Sequence, residues 1–200
     1  MKTQILSILN IVTVSFLLVV LNSCSSDKSN SNGTSTDSSD LHFAFKTPDW
    51  ERKIDCSELN LLPIVFNDTT YGVSATSAST KETFCLTYPK DSSKIVRPNN
   101  FKKYKITEYY SNEEPFQFSQ KLPLNSSSLD DLTKKLASKD GFSATEFNQI
   151  TEIKYVRSEP TYAVFKIKGT YGMNGYLPAT PDVIKPITGT YAFIIRTSKK

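Results

Sequence analysis

The sequence predicts a mainly β (α+β) domain: an antiparallel β-sandwich or barrel with one packed helix at about residues 128–140. Three observations carry that expectation. Near the C-terminus, Ala163, Phe165, Ile167, Gly169, Tyr171 and Met173 alternate with Val164, Lys166, Lys168, Thr170 and Gly172. Likewise, Ile187, Gly189, Tyr191, Phe193 and Ile195 alternate with Thr188, Thr190, Ala192, Ile194 and Arg196. Successive strand side chains point to opposite faces, so period two with one apolar side marks a half-buried strand. Shorter runs with the same period recur upstream, giving about eight or nine strands. Finally, Leu129, Leu132 and Leu136 form an apolar stripe at helical spacing.

The elements follow in chain order. Leu41, Phe43 and Phe45 alternate with His42 and Ala44, a first strand. Trp50 to Ser57 fits two templates. Thr47-Pro48 can start a helix that carries Trp50 and Ile54. Equally, Glu51, Lys53, Asp55 and Ser57 alternate with Trp50, Arg52, Ile54 and Cys56 as in a strand. Ile64–Phe66 and Tyr71–Thr76 flank Asn67-Asp68, a hairpin. Phe84, Leu86 and Tyr88 alternate with Thr83, Cys85 and Thr87. Tyr104, Ile106 and Tyr110 oppose Lys103, Lys105 and Thr107. Phe116 and Phe118 open a further strand.

The helix has Ser127 or Ser128 as cap, Asp130 and Asp131 in its first turn, and Lys134, Lys135 and Lys139 toward its end. That charge order suits the helix dipole. Gly141 stops it, and Ser143–Glu146 has capping-box spacing for one further turn. Ile153 and Tyr155 precede Glu159-Pro160 in another strand. The last two strands, Ala163–Met173 and Ile187–Thr197, pair across a wide loop from Asn174 to Pro186. That loop holds three prolines and opens on Asn174-Gly175. Both strands carry Gly-Thr-Tyr, at Gly169 and Gly189, where glycine leaves room for a cross-strand tyrosine.

The N-terminus is an address rather than part of the domain. Lys2 precedes an apolar, charge-free run from Ile5 to Leu21. Seventeen residues span roughly 25 Å as a helix, short of a bilayer core of about 30 Å. A charged start, an apolar middle and a small-residue exit describe a secretory signal peptide, residues 1–23. Leu21-Asn22-Ser23-Cys24 resembles the lipobox of bacterial lipoproteins: aliphatic Leu21 stands three before the cysteine, small Ser23 directly before it, and Asn22 departs from the pattern. The resemblance implies cleavage before Cys24 and lipidation (palmitate among the acyl groups) of that residue. Ser25 and Ser26 stand where the family places Asp for inner-membrane retention. This implies the outer membrane of a Gram-negative bacterium, on its periplasmic or surface face.

Residues 24–40 are read as the lipidated cysteine and a tether. Ser25–Asp40 contains seven serines, two threonines and two asparagines, with no residue able to build a core. Residues 41–200 form a single β-rich domain large enough to bury a core. Removing residues 1–23 takes away Lys2 and leaves 23 basic against 20 acidic residues, too small an excess to argue for nucleic acid.

The chemistry-bearing residues are few. After Cys24, Cys56 and Cys85 remain, and two cysteines in an exported domain are expected to form a disulfide. His42 is the single histidine, which argues against a zinc site and against a histidine-based nucleophile pair. No catalytic residues, metal ligands or cofactors are assigned. Glu113-Glu114 and Asp130-Asp131 are sequence neighbours and do not face each other across a cleft. Lys94, Arg97, Phe101, Lys102, Lys103, Tyr104 and Lys105 interleave cations with aromatics, a candidate strip for a polyanion or glycan. The expected function is a membrane-anchored envelope lipoprotein with a non-catalytic domain that binds an envelope protein or polysaccharide. The alternatives are a β-barrel carrier of a small apolar ligand and a hydrolase whose carboxylates the fold assembles.

Overall fold

Eleven strands and one short helix make up the domain in the computed structural model, which describes residues 40–199. The expected signal peptide, Cys24 and the expected tether up to Ser39 lie outside the described residues. The strands are β1 (His42–Lys46), β2 (Glu51–Asp55), β3 (Ile64–Val65), β4 (Thr70–Thr76), β5 (Thr83–Pro89), β6 (Lys103–Tyr104), β7 (Phe118–Pro123), β8 (Lys135–Ser138), β9 (Phe147–Ser158), β10 (Tyr162–Leu177) and β11 (Thr180–Ser198). Their order is β2-β1-β11-β10-β8-β7-β5-β4-β3, and β9 lies on β10 with β6 on its far side. Every strand pair is antiparallel.

The mainly β expectation holds, and the sheet is not closed into a barrel: β2 and β3 remain as edges. Instead the sheet folds over so that its two halves pack face to face. Phe43 on β1 meets Phe84 on β5 at 4.7 Å between ring centroids. Phe84 stacks on Phe193 of β11 at 4.5 Å, and Phe118 of β7 packs on Tyr171 of β10 at 4.4 Å. Such ring pairs contribute roughly 0.5–1.5 kcal/mol beyond the area they bury.

The pairing of β10 with β11 follows the alternation in the sequence. Phe165 faces Ile195, Ile167 faces Phe193, and Gly169 and Gly189 face Tyr191 and Tyr171. A Cβ on Gly169 would stand 2.4 Å from the Tyr191 ring, and one on Gly189 would stand 2.4 Å from the Tyr171 ring. The glycines therefore make room for the tyrosines, as the repeated triplet suggested. The wide loop is absent. β10 runs to Leu177 and β11 starts at Thr180, so Pro178-Ala179 alone turns the chain. Asn174 and Gly175 sit in the strand opposite Pro186 and Lys185. Pro181 and Pro186 lie beyond the end of β1, where β11 has a free side for residues lacking an N–H.

The helix expected at 128–140 is not formed. Residues 128–134 are turns, and Lys135–Ser138 is strand β8, which joins β7 to β10. Leu136 is buried opposite Leu122, whereas Leu132 is exposed. Short polar side chains capture the backbone here: Thr133 N donates to Asp131 Oδ1 at 2.9 Å, and Ser127 N donates to Asn125 Oδ1 at 3.1 Å. Such local bonds compete with helix formation, and the gap between β7 and β10 decides the contest. The helix that does form is α1 (Ser92–Ile95), capped by Asp91, which accepts from Ser93 N at 2.8 Å, with Ile95 buried beneath it.

Other expectations resolve in detail. Trp50–Ser57 contains strand β2, followed by a 3-10 turn at Ser57–Leu59. The hairpin around Asn67-Asp68 is present as β3 and β4. The run from Tyr104 to Tyr110 yields only β6, with Ile106 bridging to Phe118 and Gly141. Ser143 caps the amides of Thr145 and Glu146, yet no helical turn follows. The second face of β11 is covered: Ile194 and Arg196 are both buried. Asn60 and Leu61 cross that face, and Leu61 N donates to Ile194 O at 3.0 Å.

Candidate ligand-binding cavity

Where the sheet fails to close, a cavity of about 260 Å3 opens between β1–β2, the 3-10 turn and the β4–β5 hairpin. Its floor is Phe43 and Phe84, with Ile54, Leu59 and Ala75 on the walls. Two charges enter this apolar setting. Glu82 is 1% exposed, and neither carboxylate oxygen has a hydrogen-bond partner. Arg52 Nε lies 3.8 Å from Glu82 Oε1 and is itself buried without a hydrogen-bond partner. Arg52 Nη2 donates to Ser79 Oγ at 3.1 Å, which draws the guanidinium across the cavity mouth. Glu58 contributes a second, exposed carboxylate from the 3-10 turn.

Local structure explains these positions. Ser77 N donates to Glu82 O at 2.9 Å and Lys81 N donates to Ser77 O at 3.0 Å, which closes the β4–β5 turn. Lys81 takes the left-handed conformation, φ 60. Glu82 then enters β5 in phase with Phe84, Leu86 and Tyr88, so the strand's alternation carries its side chain inward. Arg52 is in phase with Ile54 on β2, a strand at the sheet edge. Sequence reasoning missed both residues. The signal was present: each is a charge on the apolar side of an alternating run.

Two cations act on Glu82: Arg52 at 3.8 Å and, through its charge, Lys135. Burial holds the Lys135 ammonium below the usual lysine range, opposed by Asp130 and, with Lys121 acting to lower it, by Glu82. Its Nζ donates to Leu129 O. Burial pushes the Tyr171 hydroxyl well above the usual range, with the Gln120 side chain opposing and Glu82 adding to the rise.

The expected sites are placed as follows. Cys85 is a free and fully buried thiol, so the expected Cys56–Cys85 bridge is not formed. The reason is phase. Cys56 lines the cavity together with Phe84, whereas Cys85 points to the opposite face of β5, beside Tyr109. Burial pushes the Cys85 thiol up to about 12.

The basic strip is spread over α1, a second 3-10 turn and β6. Lys94, Arg97, Phe101, Lys102, Lys103 and Lys105 are exposed. Lys103 Nζ lies 3.7 Å from the Phe147 ring centroid, Lys102 Nζ lies 5.3 Å from that of Tyr104, and Lys105 pairs with Asp140 at 2.6 Å. Tyr104 turns inward onto Phe116 at 5.0 Å, and burial pushes its hydroxyl up to about 12. The two aromatics of the strip therefore do not share an exposed platform.

His42 is half-buried. Its Nδ1 lies 3.0 Å from Asp40 O and its Nε2 lies 3.1 Å from Thr190 Oγ1. Burial first, then Lys53, hold it below the usual imidazole value, against Asp55. Asp40, read from the sequence as the last residue of the tether, pairs with Lys166 and, at 3.0 Å, with Lys168. Among the described residues, no group of three or more His, Cys, Asp or Glu side chains is arranged to hold a metal ion.

No known protein family, curated protein or solved structure matches this chain.

Proposed function

We propose that this chain is a lipid-anchored cell-envelope protein whose β domain is a non-catalytic binding module that holds a small ligand in the open cavity between β2 and the β4–β5 hairpin. One observation carries the reading: an open, mostly apolar cavity of about 260 Å3 floored by Phe43 and Phe84, with Arg52 and Ser79 among its polar lining. Binding sites combine mostly apolar walls with a few placed polar groups in this way. The lipobox-like residues at Leu21–Cys24 supply the anchoring part of the reading. The barrel form of a ligand carrier does not apply, because the sheet is open.

The test is a titration of the full-length protein with small aromatic fragments such as benzyl alcohol and benzylamine, followed by amide NMR. Saturable shifts confined to Ile54, Ala75 and Phe84 support the reading. Their absence for every fragment refutes it.

A second reading has one observation in its favour. Glu58 and Glu82 line the same cavity, one exposed and one buried, and glycoside hydrolysis uses two carboxylates that the fold brings together. Turnover of chromogenic glycosides that vanishes in both Glu58→Gln and Glu82→Gln would replace binding by hydrolysis.

A further inference from the structure

We infer that the loop carrying α1 is a membrane-docking knob, which sets exposed apolar side chains, ringed by cations, against an anionic phospholipid surface. The inference goes beyond the cavity reading. It concerns the end of β5 opposite the β4–β5 turn, and a different partner.

The chain leaves β5 at Pro89 and folds into two short turns, α1 (Ser92–Ile95) and the 3-10 turn Pro98–Asn100. Asn100 ties them together. Its Nδ2 donates to Lys94 O at 2.9 Å and to Ile95 O at 2.7 Å, and its carbonyl accepts from the Tyr104 hydroxyl at 3.2 Å. Ile95 is fully buried and pins the knob to the core. The side chains around it are turned outward: Val96 is 50% exposed and Phe101 is 45% exposed. Lys94, Arg97 and Lys102 stand exposed beside them. The loop therefore holds two apolar side chains in water in a fixed arrangement.

Charge complementarity identifies the partner. Lys90, Lys94, Arg97, Lys102, Lys103 and Lys105 fall within one segment whose single acid is Asp91. The whole chain has 24 basic and 20 acidic residues, so outside this segment 18 basic residues face 19 acidic ones. The net positive charge of the protein thus resides here. Asp91 turns its carboxylate to the α1 backbone, where it accepts from Ser93 N at 2.8 Å. Lys105 pairs with Asp140, and Lys103 lies over the Phe147 ring. Lys94, Arg97 and Lys102 are left around Val96 and Phe101. Cations beside anionic headgroups and apolar side chains at the headgroup–acyl boundary are the two parts of an interfacial contact. A stacked glycan is matched less well, because Tyr104 turns inward onto Phe116 and Val96 offers no ring.

The experiment places the full-length Phe101→Trp protein in vesicles with brominated acyl chains and reads quenching of the introduced tryptophan. The wild-type chain, with Trp50 as its only tryptophan, gives the background. Pure phosphatidylcholine vesicles are compared with vesicles in which about one lipid in four is phosphatidylglycerol. Strong quenching is expected with the anionic lipid only, and salt should reverse it. Each cation adds about fivefold to docking, so replacing Lys94, Arg97 and Lys102 together by Gln should weaken it on the order of a hundredfold. Quenching should then fall to the phosphatidylcholine level. These three side chains are exposed, so the variant should fold as wild type does. Equal quenching in the two kinds of vesicle, no quenching in either, or quenching that survives the triple substitution overturns the inference. So does a shift of the introduced tryptophan's emission by polygalacturonate without quenching by anionic lipid, which would assign the knob to an acidic glycan.

Discussion

Replacing Arg196 by alanine separates a solvated outer face of β11 from the buried polar seam that the structure shows. Arg196 is 8% exposed. Its Nε and Nη2 donate to Glu159 Oε2 and Oε1 at 2.8 and 3.1 Å, and its Nη1 donates to Asn60 Oδ1 and Leu61 O at 2.8 and 3.0 Å. Had this face been solvated, truncation would cost about 0.5 kcal/mol or less. Removing one partner of a buried, hydrogen-bonded ion pair costs about 3–5 kcal/mol. The Glu159 side chain is 25% exposed and regains some hydration, so the lower end applies, about 3 kcal/mol. That is a large part of a total stability of roughly 5–15 kcal/mol.

The assay is urea unfolding. With a slope of about 2 kcal/mol/M the midpoint should fall by about 1.5 M, and the slope itself should not change. Arg196→Lys keeps the charge and loses the planar fork, so it should fall in between. The pH dependence supplies a second readout. Arg196 first, and Arg157 in support, hold the Glu159 carboxyl below the usual range. A depressed folded value means the stabilisation is present above the ordinary glutamate value of about 4.3, and is lost as pH falls through the folded value. The gap between wild type and Arg196→Ala should therefore close in acid. A midpoint within about 0.3 M of wild type at neutral pH, or a gap that widens in acid, would refute the buried seam.

Three further outcomes are expected. Gly169→Ala and Gly189→Ala should each destabilise by about 1–3 kcal/mol, because the new Cβ overlaps a cross-strand tyrosine ring; thermal melts check this, and unchanged melting contradicts the register. Cys85 should resist alkylation in the native protein and react once in urea, since its thiol is fully buried and pushed up to about 12; rapid labelling without denaturant contradicts the placement. Cys24→Ala should abolish labelling by a palmitate analogue and leave unprocessed precursor. Undiminished labelling, or a mature Cys24 peptide disulfide-linked to Cys56, would count against acylation at Cys24.

The sequence by itself determined what local periodicity and composition control. Alternation at Ala163–Met173 and Ile187–Thr197 specified two paired strands, and the repeated glycines specified where the tyrosines fit. Periodicity reports which face is apolar, not what covers the other face. So the burial of Arg196 beneath Asn60 and Leu61 was invisible, because it depends on a segment over a hundred residues away. The leucine spacing at 129–136 suited a helix in isolation. The gap between β7 and β10 needed a strand, and tertiary pairing outweighs the few tenths of a kcal/mol per residue that separate ordinary helix propensities. The cavity belongs to the same class. Arg52 and Glu82 each break the apolar side of a run, which the sequence displays. That the two breaks face one another across an unclosed sheet follows only from the fold, which brings β2 and the β4–β5 hairpin together from distant parts of the chain.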